Sequence, residues 1–203
     1  MSTAGRRPPE TTAIMRGEDW YGRDLSGRRF SSTAFHDMDF TEAESTGVWF
    51  EDCTFHASSF NCSMFIDAAF TNCTFNQCNL FETAFVRSKC IGSAFVGCTF
   101  SLFKVSGGDW SFVSLAAADL RGVSLSGVRL READLTGALC SGATLTDSDL
   151  SGASLRGTDL SGCDLRGSDL SALDPFEAKI SGAVITAEQA AVVAARLGLD
   201  VRG

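Results

Sequence analysis

From Trp20 onward nearly every fifth position is large and apolar, through Leu25, Phe30, Phe35, Phe40, Phe50, Phe55, Phe60, Phe65, Phe70, Phe75, Leu80 and Phe85, with Ser45 in the same register. The same register continues through Phe95, Phe100, Trp110 and Leu115 to the stretch "DLSGASLRGTDLSGCDLRGSDL" and ends at Ile180 and Ile185 without an insertion. A spacing of five fits neither the period of about 3.6 of a helix face nor the period of 2 of a strand face. The residue two positions earlier is usually small, as at Cys53, Ser58, Ser63, Ala68, Ala133 and Ala153. Two residues apart in an extended segment share one face, so each pentad turns one large and one small side chain inward. The other three positions carry Asp, Ser, Thr, Arg and Gly, the residues of turns and wet surface. Each pentad therefore predicts a short strand followed by a corner.

The pentads "ADLRG" (118–122), "ADLTG" (133–137) and "CDLRG" (163–167) carry a close resemblance to the pentapeptide-repeat family over about residues 18–187. That resemblance implies an all-β solenoid, a right-handed quadrilateral β-helix with four pentads per coil and about eight coils, in which residues 20 apart stack. A solenoid is stabilised by neighbour-on-neighbour contacts spread along the rod. Three segments are expected: a flexible tail over 1–17, the β-helix over 18–185, and a C-terminal segment over 186–203.

The tail "MSTAGRRPPETTAIMRG" lacks the apolar run of a signal peptide, and no stretch approaches the 18 apolar residues of a membrane span. A soluble, cytoplasmic protein is the expectation. At the other end, Thr186 and Gln189 fit a capping box opening a short Ala-rich helix that stops near Gly198. A helix there covers the open edge of the last coil. Two readings stand: a cap alone, or a homodimer contact formed by Ile180, Ile185, Ala190, Val193, Ala194 and Leu197. The second follows from the resemblance, since related proteins dimerise through this end.

Candidate chemistry is sparse. Of eight cysteines, seven occupy inward slots and Cys62 faces out, which reads as free thiols serving as small core residues. His36 and His56 are 20 apart and stack on adjacent rungs beside Asp37, two imidazoles where a zinc site needs at least three ligands. No nucleophile elbow, zinc-protease or phosphate-loop motif is present. "SGGDW" (106–110) reads as a distortion of the coil, forced by Phe103 in a small slot. The expectation is a non-enzymatic protein with no metal or cofactor.

Charge changes the picture. The net charge of −8 is concentrated in residues 30–86, which hold Asp37, Asp39, Glu42, Glu44, Glu51, Asp52, Asp67 and Glu82 and no Lys or Arg. Over roughly 14 Å of rod this is about one negative charge per 1.7 Å, the axial density of duplex DNA. Acid excess also serves solubility. An unbroken register, a Phe-rich half followed by a Leu-rich half, and a helix after "ISGAVIT" make the chain similar to the MfpA/Qnr group, in its loop-free form. The resemblance implies a DNA mimic that binds DNA gyrase or topoisomerase IV and inhibits it or protects it from fluoroquinolones or other poisons, without binding nucleic acid itself. The projecting loops of Qnr proteins have no counterpart here. The eight acids are the candidate contact residues, with Asp119, Asp134 and Asp149 as a second group from the pentad Asp slot. Asp in that slot also suits the hydrogen bonds of its own corner. The other open reading is an interaction module with a different protein partner.

Overall fold

The computed structural model describes residues 7–202. Strands of three or four residues form parallel ladders in which each partner lies 20 residues further on. On the first face, Ala13–Arg16, Thr33–His36, Thr54–His56, Thr74–Asn76 and Ala94–Val96 pair in succession. The second face is held by single bridges, Asp19 to Asp39 to Ser59 to Asn79 to Thr99. The third stacks Glu44–Thr46 through Thr144–Thr146, and the fourth stacks Arg29–Ser31, Trp49–Glu51 and Ala69–Thr71. Four ladders offset by one pentad and repeating at 20 give the four-sided coil that the cadence implies.

The expected tail is shorter than 1–17. Ala13–Arg16 pairs in register with Thr33–His36, and the Thr12 N–H donates to the Ser32 carbonyl. Met15 packs against the core as the first member of its ladder, so the cadence begins one pentad before Trp20. Residues 1–6 lie outside the described residues.

Inside, identical side chains stack. Phe35, Phe55, Phe75 and Phe95 form a column with ring centroids 5.0, 4.8 and 4.5 Å apart and planes within 13° of parallel. Rings in neighbouring columns meet edge to face, as Phe35 does with Phe50 at 5.7 Å. Both arrangements suit aromatic quadrupoles. The small slot has its own logic: its hydroxyls reach the coil beneath, Ser93 Oγ to the Phe70 carbonyl at 2.7 Å and Thr158 Oγ1 to that of Leu135 at 2.7 Å. Cysteine fills the same role more weakly, with Cys78 Sγ 3.5 Å from the Phe55 carbonyl. All eight cysteines are free; six are buried, Cys98 is half-buried and Cys62 is exposed, as the slot pattern predicts.

Where the Phe-filled half meets the Leu-filled half, Phe103 occupies a small slot and is buried against Phe85, Phe100 and Trp110. Gly108 sits in the next small slot with φ +97°, and a Cβ there would fall 2.0 Å from the Ser88 carbonyl oxygen. The glycine is required by the closeness of the neighbouring coil, the physical content of the distortion read from "SGGDW".

The C-terminal helix, Ala187–Arg196, opens on the capping box, with Thr186 Oγ1 accepting from the Gln189 N–H and Gln189 Oε1 accepting from the Thr186 N–H. Gln189 is buried and its Nε2 donates to the carbonyls of Leu165 and Ser168, each at 2.7 Å. Arg196 donates to the Ser171 carbonyl. The helix thus satisfies carbonyls that the end of the solenoid would leave bare. No helix among the described residues is long and apolar enough to cross a membrane.

Gly108→Ala is expected to cost about 2 kcal/mol or more, since backbone must move to admit the methyl. Gly122→Ala, at φ +69° with open space around it, is expected to cost about 1 kcal/mol from the left-handed backbone alone. Urea denaturation midpoints compare the two; equal losses would show that the contact with Ser88 is not the constraint.

Candidate functional site

None of the eleven candidate acids is buried. Five of them, Asp37, Glu42, Asp52, Asp67 and Glu82, sit at corners with φ between 49° and 57°. In the second half the corner residue is mostly glycine, as at Gly122, Gly127, Gly137, Gly142, Gly152 and Gly157. Asp tolerates the left-handed region comparatively well, whereas Glu42 and Glu82 carry a backbone cost of order 1 kcal/mol. The acidic segment therefore places carboxylates where glycine would be less strained, on the most protruding points of the rod.

Pairing divides the acids. Asp37 contacts Arg16 at 3.3 Å, Asp67 makes a two-pronged pair with Arg87 at 2.8 and 2.9 Å, and Asp119 does the same with Arg121. The guanidinium beside it holds the Asp67 carboxyl below its ordinary value, and Arg121 does so for Asp119. Asp149 approaches Arg131 at 3.8 Å, and its carboxyl is lowered first by the hydroxyl of Ser151. Asp39, Glu42, Glu44, Glu51, Asp52, Glu82 and Asp134 have no cationic partner among the described residues.

The pentad Asp slot is a local brace. Asp134 Oδ1 accepts from the Thr136 N–H at 3.0 Å, Asp149 from Ser151 at 3.0 Å, Asp119 from Arg121 at 3.3 Å, and Asp39 from Thr41 at 2.9 Å. Asp119, Asp134 and Asp149 are thereby committed to their own corners, and Asp39 shares that duty. The unpaired, unbraced carboxylates are Glu42, Glu44, Glu51, Asp52 and Glu82.

These five lie along two opposite edges. Glu42 and Glu82 share the corner between the second and third faces, two coils apart, with Glu44 beside Glu42 on the third face. Cys62 lies between them, its thiol 3.8 Å from Glu82 Oε2, and the hydroxyl of Tyr21 hydrogen-bonds Glu42, which raises the phenol above its ordinary value. Glu51 and Asp52 occupy the corner between the fourth and first faces. The structure does not gather the eight acids into one patch; with Asp37 and Asp67 at the other two corners, they are spread around the rod.

The proposed dimer residues are also divided. Ile180, Ile185 and Val193 are half-buried and packed against the core, the two isoleucines through their place in the inward cadence and Val193 from the helix. Ala194 is half-buried, while Ala190 and Leu197 are exposed. The outer apolar surface at this end consists of Phe176, Val184, Val192, Leu197, Leu199 and Val201, each more than 40% exposed. Of these only Leu197 is among the expected contact residues; Phe176 and Val184 stand outside the inward slots of the cadence, and Val192 lies on the exposed side of the helix.

His36 and His56 lie on adjacent rungs with ring centroids 5.7 Å apart and planes tilted by 60°; no cluster of three or more metal-binding side chains occurs among the described residues. A surface depression of about 540 Å³ on the fourth face is lined by Arg87, Lys89, Asp109, Arg129, Asp147 and Asp149, where Arg129 already pairs with Asp109 at 2.9 Å.

The pentapeptide-repeat family model matches residues 63–101, 105–137, 114–151 and 133–171. The chain belongs to the pentapeptide-repeat family. Among solved structures, full-length QnrB1, described as a plasmid-mediated fluoroquinolone resistance protein, is similar with a TM-score of 0.56 at 24% identity, over 94% of this chain and 99% of that one. A trypsin-treated form of QnrB1 gives a TM-score of 0.54 at 20% identity, over 95% and 99%. HetL from Nostoc, involved in heterocyst differentiation regulation, gives 0.40 at 18% identity over 86% of each chain. No curated protein sequence matches.

Proposed function

We propose that this protein is a non-enzymatic mimic of duplex DNA that binds DNA gyrase or topoisomerase IV, in the cytoplasm, and inhibits the enzyme or protects it from quinolones or other topoisomerase poisons. One observation carries the reading. Within coils free of Lys and Arg, Glu42, Glu44, Glu51, Asp52 and Glu82 project from corners or faces without a cationic partner among the described residues. In duplex DNA the phosphates flank both grooves, and here the unpaired carboxylates flank both sides of a rod. On a partner surface built to hold phosphate, Lys and Arg supply the missing counter-charges, and the contact weakens with salt. The overall likeness to QnrB1, whose description is fluoroquinolone resistance, supports the same direction. The alternative, an interaction module for another protein, draws on the second half, where most acids are braced or paired internally.

In a supercoiling assay with purified gyrase, the protein is expected to inhibit, or to restore activity in the presence of a quinolone, at micromolar concentration. The variant Glu42→Lys/Glu44→Lys/Glu51→Lys/Asp52→Lys is expected to lose at least about tenfold of that effect, while Asp119→Asn/Asp134→Asn/Asp149→Asn retains it. An unchanged quadruple variant would move the contact to another surface; no effect of the parent protein on gyrase would favour the other partner.

The exposed apolar end supports a homodimer formed through the outer face of the C-terminal helix. Sedimentation equilibrium is expected to give a dimer for the parent chain and a monomer for Val192→Glu/Leu197→Glu, both residues lying outside the core. A dimer that survives the double substitution would refute this contact.

A further inference from the structure

The cadence conceals an exception at the N-terminal end. The small inward slot is apolar or small and uncharged in every coil after the first, yet the first coil fills it with Glu18, Arg23 and Arg28. Their stacking counterparts one coil on, Met38, Ala43 and Val48, are buried, whereas the three charged residues are exposed. Among the described residues no coil lies beneath the first, and its inward side chains lie across that end of the aromatic core. Trp20, only 3% exposed, is the floor of that end. The Arg23 guanidinium carbon lies 5.3 Å from the Trp20 ring centroid and that of Arg28 lies 5.7 Å from it, with Arg28 also 5.2 Å from Phe30. Glu18 Oε2 accepts from Trp20 Nε1 at 2.8 Å, which fixes the indole.

Neither arginine has a carboxylate partner among the described residues, in contrast to Arg16, Arg87, Arg121, Arg129, Arg131 and Arg166. A guanidinium resting on a ring keeps its N–H donors, and stacking restrains the side chain so that less freedom is lost when those donors are used. Two such cations sharing one indole repel each other unless an anion lies between them. With Glu18 the end carries one net positive charge, and a divalent oxyanion compensates two guanidinium groups better than a single carboxylate does.

We propose that the N-terminal end of the solenoid is an oxyanion site for a phosphate group, gripped by Arg23 and Arg28 over Trp20. Free phosphate and a nucleic-acid backbone present the same oxyanion chemistry to these fork-shaped donors. The site goes beyond the topoisomerase reading and uses none of its acids, so each stands or falls alone.

Titration calorimetry of the full chain with inorganic pyrophosphate tests it. Saturable binding is expected, weakened at least about tenfold in Arg23→Gln/Arg28→Gln and unchanged in Arg121→Gln, whose guanidinium is held by Asp119 on another part of the rod. Glu18→Gln is expected to tighten binding about threefold, because it removes a repelling charge and keeps an acceptor for Trp20. Since Glu18→Gln acts in the opposite direction, it decides the matter even if the double variant fails to fold. A 12-base-pair duplex that binds with the same arginine dependence identifies a phosphodiester as the source, and pyrophosphate binding alone identifies free phosphate. No saturable binding, an undiminished double variant with no gain from Glu18→Gln, or hexaglutamate binding as tightly as pyrophosphate would overturn the assignment.

Discussion

In-register parallel pairing between coils 20 residues apart is the constraint on which the rest depends. Each coil must present its backbone N–H and carbonyl groups at the same height as its neighbour's, which fixes the pentad length. It also forces a sharp corner after every strand, and many of those corners hold a residue at positive φ. Once register is fixed, like side chains fall above like side chains. That is why phenylalanines stack nearly parallel at 4.5 to 5.0 Å and why small-slot hydroxyls meet the carbonyls of the coil beneath.

The same constraint sorts the acids. An Asp just before the large inward residue is positioned to accept from the N–H two residues on, and becomes part of the corner. An acid at the corner itself, where φ is positive, points outward and finds a partner only if the coil above or below supplies one. Arg87 does so for Asp67. In the coils from Phe30 to Val86 no arginine or lysine is available, so Glu42, Asp52 and Glu82 stay unpaired. Absence of cations from this segment, more than the total charge, separates the first half from the second, where Asp164 and Arg166 neutralise each other at 2.6 Å.

Much of the fold was legible in the sequence. The large and small inward slots, the exposed Cys62, and the Thr186 to Gln189 capping box all follow from spacing alone. Less legible was what happens at the ends. Met15 belongs to the first ladder although Pro8 and Pro9 just before it suggest a tail. Ile180, Ile185 and Val193 pack into the cap, and a sequence pattern does not show which side of a terminal helix faces the last coil. Arg23 and Arg28 stand in the inward cadence, but an inward charge is intelligible only once their exposure at the end of the described coils is known. For the candidate site, spacing placed every acid on the surface, while which of them were paired depended on neighbours 20 residues away.

Unpaired carboxylates that take the place of DNA phosphates on a topoisomerase must compete with the duplex for it. With fluorescently labelled duplex bound to gyrase, adding this protein is expected to lower the anisotropy to that of free duplex, with a midpoint that shifts to higher protein concentration as salt is raised. Binding of the protein to the gyrase–DNA complex without release of the duplex would contradict it.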